Sequence, residues 1–376
     1  MNAFPYLFSP LKLKNINLFN RIIMAPMYVG YADPDGNVNE LVLEHYKEMG
    51  ASGVSLIVVE NICVDPSGLG SPFMLRADKD EYIIGLKKLA DIIHNEGAFA
   101  FAQINHAGRY AYTKERVAPS PVKIGDITPK EMTRDEILVM IGKYADAAER
   151  IKKAGFDGVE LHGGTGYLLS QFLSPRSNIR ADEYGGDIDG RMRFPIRVIE
   201  AVKERVGDQF PVGYRFLADE LIPGGLTLDD AIIFAKACAK KGIDYLSVMA
   251  GTHESLHTPP HLEMEKNEGY MVHYAKAVKD AIPDMIIITA GRIQTPQYAE
   301  KILQEGAADL IGLARVLFAD PLWPKKAKGE IKEAIVSCNP SCSQCTNMVM
   351  KGKRPYCSQW SKQKRQDFIK KIGEER

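Results

Sequence analysis

The chain has 376 residues, 45% of them hydrophobic, with 48 basic and 48 acidic side chains. The balanced charge argues against a nucleic-acid or membrane-surface partner, and no apolar run is long enough to span a bilayer. What remains is a globular, enzyme-sized chain of one large domain or two, and a start, Met1 to Leu7, with no basic segment leading an apolar core gives no secretory signal and implies a cytoplasmic setting.

Taken in order, the segment Leu7–Phe19 alternates apolar residues and predicts a hairpin closing a barrel floor. Eight apolar, β-branched runs follow, at 22–25, 54–59, 98–104, 156–161, 211–215, 243–248, 285–289 and 309–313. Helical patterns lie between most of them. One runs from Arg134 to Ala154 with Thr133 and Glu136 at capping-box spacing. Another follows Leu228, with Thr227 as cap and Gly242 as stop; a third has Thr295 as cap, Pro296 at the first position and Gly306 as stop. Strands alternating with helices imply parallel pairing, and eight units by about residue 320 predict a (β/α)8 TIM barrel. The alternative is an open doubly wound sheet, which usually carries GxGxxG after an early strand; this chain has no such sequence. The expected division is a barrel over 1–330 and a cysteine-rich extension over 331–376.

Chemistry gathers where the predicted strands end. Ala25-Pro26-Met27-Tyr28 follows the first, Gln103 to Arg109 ends the third, and Arg215 ends the fifth. Ala290-Gly291-Arg292 and Gly312-Leu313-Ala314-Arg315 follow the seventh and eighth. Small residues followed by arginine suit a phosphate: bare N–H groups, then a cation. Gln103 and Arg215 are suited to gripping a planar heterocycle. The fourth strand runs into His162-Gly163-Gly164-Thr165-Gly166-Tyr167, two hydrogen-bonding side chains on glycine-rich backbone. Singly, each of these residues is as well explained by loop bracing or core packing; together at one barrel face they point to a ligand site.

The first-strand segment Asn20 to Met27, and the stretch Asp157 to Pro175 followed by Asn178, Asp182, Tyr184-Gly185-Gly186 and Arg191, resemble signatures of the old yellow enzyme family. The resemblance covers about residues 5–330. It implies FMN at the barrel mouth, hydride passing through flavin N5, and an unsaturated small-molecule substrate. Pro26 and Met27 would meet the flavin through backbone, Gln103 its pyrimidine edge, and Arg215 its electron-rich N1 side. Gly291, Arg292, Ala314 and Arg315 would hold the phosphate. His162 matches the family's first substrate-docking donor and Tyr167 its proton donor. Thr165 stands where the family usually has His or Asn as the second docking donor, and Tyr28 where Cys or Thr usually touches the flavin. Arg176, Asn178, Asp182 and Arg191 read as loop braces.

The tail carries Cys338-x3-Cys342-x2-Cys345-x11-Cys357. Four thiolates in a short-spaced trio with a distant fourth suit a 4Fe-4S cluster; structural zinc is the alternative. This resembles the iron–sulfur branch containing trimethylamine dehydrogenase, 2,4-dienoyl-CoA reductase and enoate reductase, whose members continue into an FAD- and NAD(P)H-binding region. The chain stops at Arg376, so the expectation is a separate electron donor, either a flavoprotein subunit or a ferredoxin-like carrier, docking near the basic residues Lys351, Lys353, Arg354, Lys362, Lys364 and Arg365. A loop with His253, His257, His261 and His273 reads as a substrate-covering lid, and Cys63 and Cys238 as buried thiols. The favoured activity is reduction of an activated C=C bond in an enoate, enone or enoyl-CoA. An amine dehydrogenase and an electron-transfer subunit are the alternatives; homo- or hetero-oligomers are open.

Overall fold

A computed structural model describes residues 3–374; Met1 and Arg376, on which the readings of the chain start and chain end lean, lie outside them. The N-terminal hairpin forms from β1 (Leu11–Leu13) and β2 (Ile16–Leu18), with Leu11 opposite Leu18. Then come β3 (Ile22–Met24), β4 (Leu56–Cys63) and β5 (Phe99–Asn105). A short pair, β6 (Val117–Ala118) and β7 (Lys130–Glu131), sits in the loop before β8 (Gly158–Gly163). The set finishes with β9 (Val212–Leu217), β10 (Tyr245–Met249), β11 (Ile286–Thr289) and β12 (Leu310–Leu313). Strands β3, β4, β5 and β8 to β12 pair in that order, all parallel, and β12 returns to β3. The sheet therefore closes into the expected barrel, and the open doubly wound alternative is excluded.

Most strands begin one or two residues later than their apolar runs, and at three of them an aspartate explains why. Asp157, Asp244 and Asp309 precede β8, β10 and β12. Each carboxylate accepts a backbone N–H at the entry of the preceding barrel strand, from Ala100, Val212 and Ile287 respectively, each at 2.8 Å. Each also has a basic partner: His94, Lys14 and Lys279. Buried N–H groups at the barrel's lower rim are thus satisfied by side chains rather than by further ladder.

The hairpin does plug the floor. Leu13, Ile16 and Leu18 pack with Ile23, Leu56, Val58, Phe101, Tyr245, Ile288 and Leu310 in one buried cluster inside the barrel. The larger core lies between strands and helices. Thr133 and Glu136 form the reciprocal capping box of the helix Arg134–Lys153. Thr227 and Thr295 cap Leu228–Lys240 and Pro296–Gln304, and Gly242 and Gly306 follow their ends in the left-handed region, at φ +72° and +63°.

The C-terminal segment is fastened to the barrel. Tyr31 Oη donates to Pro355 O at 2.5 Å, Trp360 Nε1 to Phe318 O at 2.6 Å, and Cys357 and Trp360 join the larger core. Of the basic residues read as a docking patch, Lys364 pairs with Glu48 at the surface, and Arg354 turns inward, bonding Ala32 O and lying over the Phe73 ring. No described helix is long and apolar enough to cross a membrane.

Candidate active site

The C-terminal strand ends build the site in layers. Residues two apart on a strand face the same way, so Glu160 and His162 on β8 both look into the barrel. The lower layer is polar and buried. Gln103 Nε2 donates to Glu160 Oε1 at 2.8 Å, Tyr245 Oη donates to Glu160 Oε2 at 3.0 Å, and Arg215 Nη1 donates to Ser247 Oγ at 2.7 Å. Burial raises the Glu160 pKa, while the neighbouring Arg215 and the two hydrogen bonds oppose that shift.

Above this layer His162 and Tyr167 meet edge to face, with ring centroids 4.9 Å apart and planes at 87°. Burial, with Arg215 and His253 nearby, pushes the His162 pKa well down, so the ring is neutral. Burial pushes the Tyr167 phenol up to about 12, so it too is neutral. A neutral imidazole and a neutral phenol can both donate a hydrogen bond. The Tyr167 hydroxyl has no partner among the described residues. A third ring joins them from the loop read as a lid: His253 lies 5.2 Å from Tyr167 and 4.7 Å from Tyr110. That loop reaches the site through His253 N–H donating to Thr165 O at 3.1 Å.

Thr165 adopts φ +60°, unusual for a β-branched residue, between Gly164 and Gly166. Its hydroxyl faces Met249 Sδ at 3.6 Å. The Tyr28 phenol donates to Ser71 Oγ; burial, helped by the nearby Glu60 carboxylate, raises its pKa against the lowering effect of that hydrogen bond. Pro26 and Met27, half-buried, continue the chain beyond β3, whose exit is tied by Ala25 N–H to Leu313 O at 2.9 Å. Asn178, Asp182 and Arg191 brace the loop as expected: Asn178 Nδ2 donates to Phe172 O and Tyr184 O at 2.7 Å, Asp182 pairs with Arg180, and Arg191 reaches Leu173 O and Asp230. Arg176 pairs with Glu254, as does Arg109.

Arg215, Gly291, Arg292, Ala314 and Arg315 line a single cavity at the ends of β11 and β12, together with Tyr270 and Cys338. Gly291, at φ +104°, lets the chain turn there. Two of the cavity's arginines are held by the lid: Arg315 and Arg292 both pair with the Glu265 carboxylate, the latter at 3.5 Å, and Arg292 Nε donates to Glu265 O at 2.7 Å. Glu265 was not legible as part of this site, since only the folded lid brings it there.

Cys338, Cys342, Cys345 and Cys357 face one small cavity that also touches Arg315. Arg315 and Cys338 line both this cavity and the anion cavity. Among the described residues no group of three or more His, Cys, Asp or Glu is drawn together tightly enough for a metal ion. Cys63 and Cys238 are buried thiols. A separate groove between Glu40–Gly50 and the C-terminal helix is lined by Lys364 of the predicted docking residues and by none of the predicted catalytic, substrate, cofactor or metal residues.

A sequence profile of the NADH:flavin oxidoreductase / NADH oxidase family matches residues 6–334. The NADH oxidase of Thermoanaerobacter brockii is 43% identical over 355 residues, covering 91% of this chain and 54% of that protein. The chain spans about half the length of such curated relatives. Among solved structures, 2-naphthoyl-CoA reductase in complex with 2-naphthoyl-CoA superposes with a TM-score of 0.91 at 31% identity, covering 95% of this chain and 57% of that one. Histamine dehydrogenase from Rhizobium sp. 4-9 superposes at 0.84 with 28% identity, covering 95% and 52%.

Proposed function

The chain belongs to the NADH:flavin oxidoreductase / NADH oxidase family and is an oxidoreductase, and from this premise we propose that it is an FMN-dependent ene-reductase acting on an activated C=C bond in an enoate, enone or enoyl-CoA. The observation that carries the reading is the pairing of two neutral donors, His162 and Tyr167, above a layer suited to a planar ring and beside an arginine-rich anion cavity.

The residues fit FMN. Arg292 and Arg315 would hold the phosphate in competition with the Glu265 carboxylate that pairs with both, and Gly291 and Ala314 line the same cavity with little side chain over their backbone. Pro26 and Met27 would flank the ring, Gln103 its pyrimidine edge, and Arg215 the side where negative charge collects. When bound, FMN supplies hydride at its N5. His162 donates to the substrate carbonyl, drawing electron density from the alkene as charge develops on that oxygen. Thr165 and Tyr28 would be further donors once substrate draws their hydroxyls from Met249 Sδ and Ser71 Oγ. Tyr167 gives its phenolic proton to the carbon next to the carbonyl, and its high pKa keeps that proton in place until substrate arrives. His253 and the lid close over Tyr167 and exclude water.

The four cysteines around one cavity offer the all-thiolate donor set of a 4Fe-4S cluster, and a single structural zinc is the alternative that the same donor set would serve. A cubane takes one cysteine per iron and supplies one-electron transfer. A cluster held by these cysteines would border the arginine cavity through Arg315 and Cys338, which line both, and an electron donor, a flavoprotein unit or a ferredoxin-like carrier, would then reach the cysteine-rich segment rather than the barrel mouth.

A second reading, amine dehydrogenation, is favoured by the likeness to histamine dehydrogenase. Anaerobic stopped-flow mixing separates the two. Photoreduced protein should be re-oxidised by an enone or an enoyl-CoA. Reduction of the oxidised protein by an amine, with no response to alkenes, would establish the second reading instead.

A further inference from the structure

Glu160 is a carboxylate with no solvent exposure, set directly beneath the residues read as the flavin-ring site. Its placement is built into the strand register. Gln103 and Glu160 are partners across β5 and β8, and Glu160 and Tyr245 each pair with Gly213 on β9. Gly213 is the gap through which Tyr245 reaches Glu160: a Cβ there would lie 2.0 Å from the Tyr245 ring.

Against the burial that raises the Glu160 pKa, Arg215 and the hydrogen bonds from Gln103 and Tyr245 favour its ionised form, and an ionised carboxylate accepts hydrogen bonds and donates none. The end of Gln103 that faces Glu160 at 2.8 Å is therefore its NH2 group. Its carbonyl oxygen is left pointing away, with no partner among the described residues. The second Glu160 oxygen is held by Tyr245, so the carboxylate cannot turn. The same negative charge faces Arg215 and opposes it.

We propose that Glu160 is the positioning residue of the ring site. It fixes Gln103 with its carbonyl outward, so that the ring edge docked there must present an N–H, and it offsets Arg215, setting the potential at which that ring is reduced. This rests on the FMN reading above and adds to it a residue that touches no ligand.

The experiment compares FMN-loaded wild type with Glu160→Gln and Glu160→Asp, using spectroelectrochemical titration and the affinities of FMN and N3-methyl-FMN. In E160Q the unopposed Arg215 should raise the affinity for reduced over oxidised FMN about tenfold, roughly 30 mV to the positive for a two-electron couple. The amide introduced by E160Q can donate as well as accept, so Gln103 is freed to turn, and discrimination against N3-methyl-FMN should fall. E160D keeps the charge but leaves the carboxylate one methylene short of Gln103. This variant should therefore retain the wild-type potential while losing discrimination, and it carries the test if E160Q does not fold. Wild-type potential and discrimination in E160Q, or unchanged discrimination in E160D, would overturn this inference alone. A wild-type protein that takes up no FMN would overturn the FMN reading and this inference with it.

Discussion

Replacing Tyr167 with Phe removes one hydroxyl and leaves the ring. The contacts to His162 at 4.9 Å and His253 at 5.2 Å are made by the ring, and the hydroxyl has no partner among the described residues. Stability should therefore change by less than about 0.5 kcal/mol, and FMN uptake should be unchanged. With a pKa of about 12, roughly one phenol in 10⁵ is ionised at pH 7, so essentially every wild-type molecule carries the proton. Its loss should slow alkene-driven re-oxidation by about 10²–10⁴-fold, or about 3–5 kcal/mol of barrel-mouth chemistry. The sign of the pH dependence follows from the two shifts. A raised tyrosine stays protonated as pH rises, and a lowered histidine stays neutral as pH falls. The wild-type rate should thus be flat between about pH 6 and 9. Stopped-flow re-oxidation of the reduced variant checks this. An unchanged rate, or an equal loss in flavin reduction, would refute the assignment of Tyr167 as proton donor.

Three further predictions concern the anion cavity, the lower rim and the cysteines. Because Glu265 occupies the arginine pair read as the phosphate site, Glu265→Gln should tighten FMN binding roughly fivefold, about 1 kcal/mol; fluorescence titration with FMN checks it, and weaker binding would contradict it. Asp309→Ala strands the Ile287 N–H and leaves the Lys279 ammonium with Met285 O alone, costing about 1–3 kcal/mol in denaturant unfolding, whereas a loss near zero would show that water replaces the carboxylate. Cys345→Ala should abolish iron and acid-labile sulfide while sparing FMN; stoichiometric zinc and no sulfide in the unaltered protein would decide for the alternative metal.

The barrel was legible because each parallel strand is buried on both faces and so reads as an apolar run, and because threonine caps and glycine stops bracket the helices between them. Strand entries were not, since an aspartate such as Asp309 sits inside the run while bonding the neighbouring strand. Arg215, Gly291, Arg292, Ala314 and Arg315 were legible as one site because barrel topology gathers strand ends. Glu160 had a signal that went unused: it lies two residues before His162 on one strand, so both must face the same way. The contact of His253 with Tyr167 and the place of Glu265 had none, because a loop's path over the barrel is set by packing that no local periodicity encodes. One residue read as part of a docking surface, Arg354, turns inward because the C-terminal segment folds back onto the barrel and brings it against Phe73.

The central claim is that reducing equivalents stored in this protein end on a carbon–carbon double bond. The most direct test is a single anaerobic turnover: FMN-loaded protein is photoreduced, given one equivalent of an enoyl-CoA or enone, and quenched for mass spectrometry. The account predicts one saturated product per reduced flavin, heavier than the substrate by two hydrogens. Unchanged substrate beside a flavin that stays reduced would contradict it.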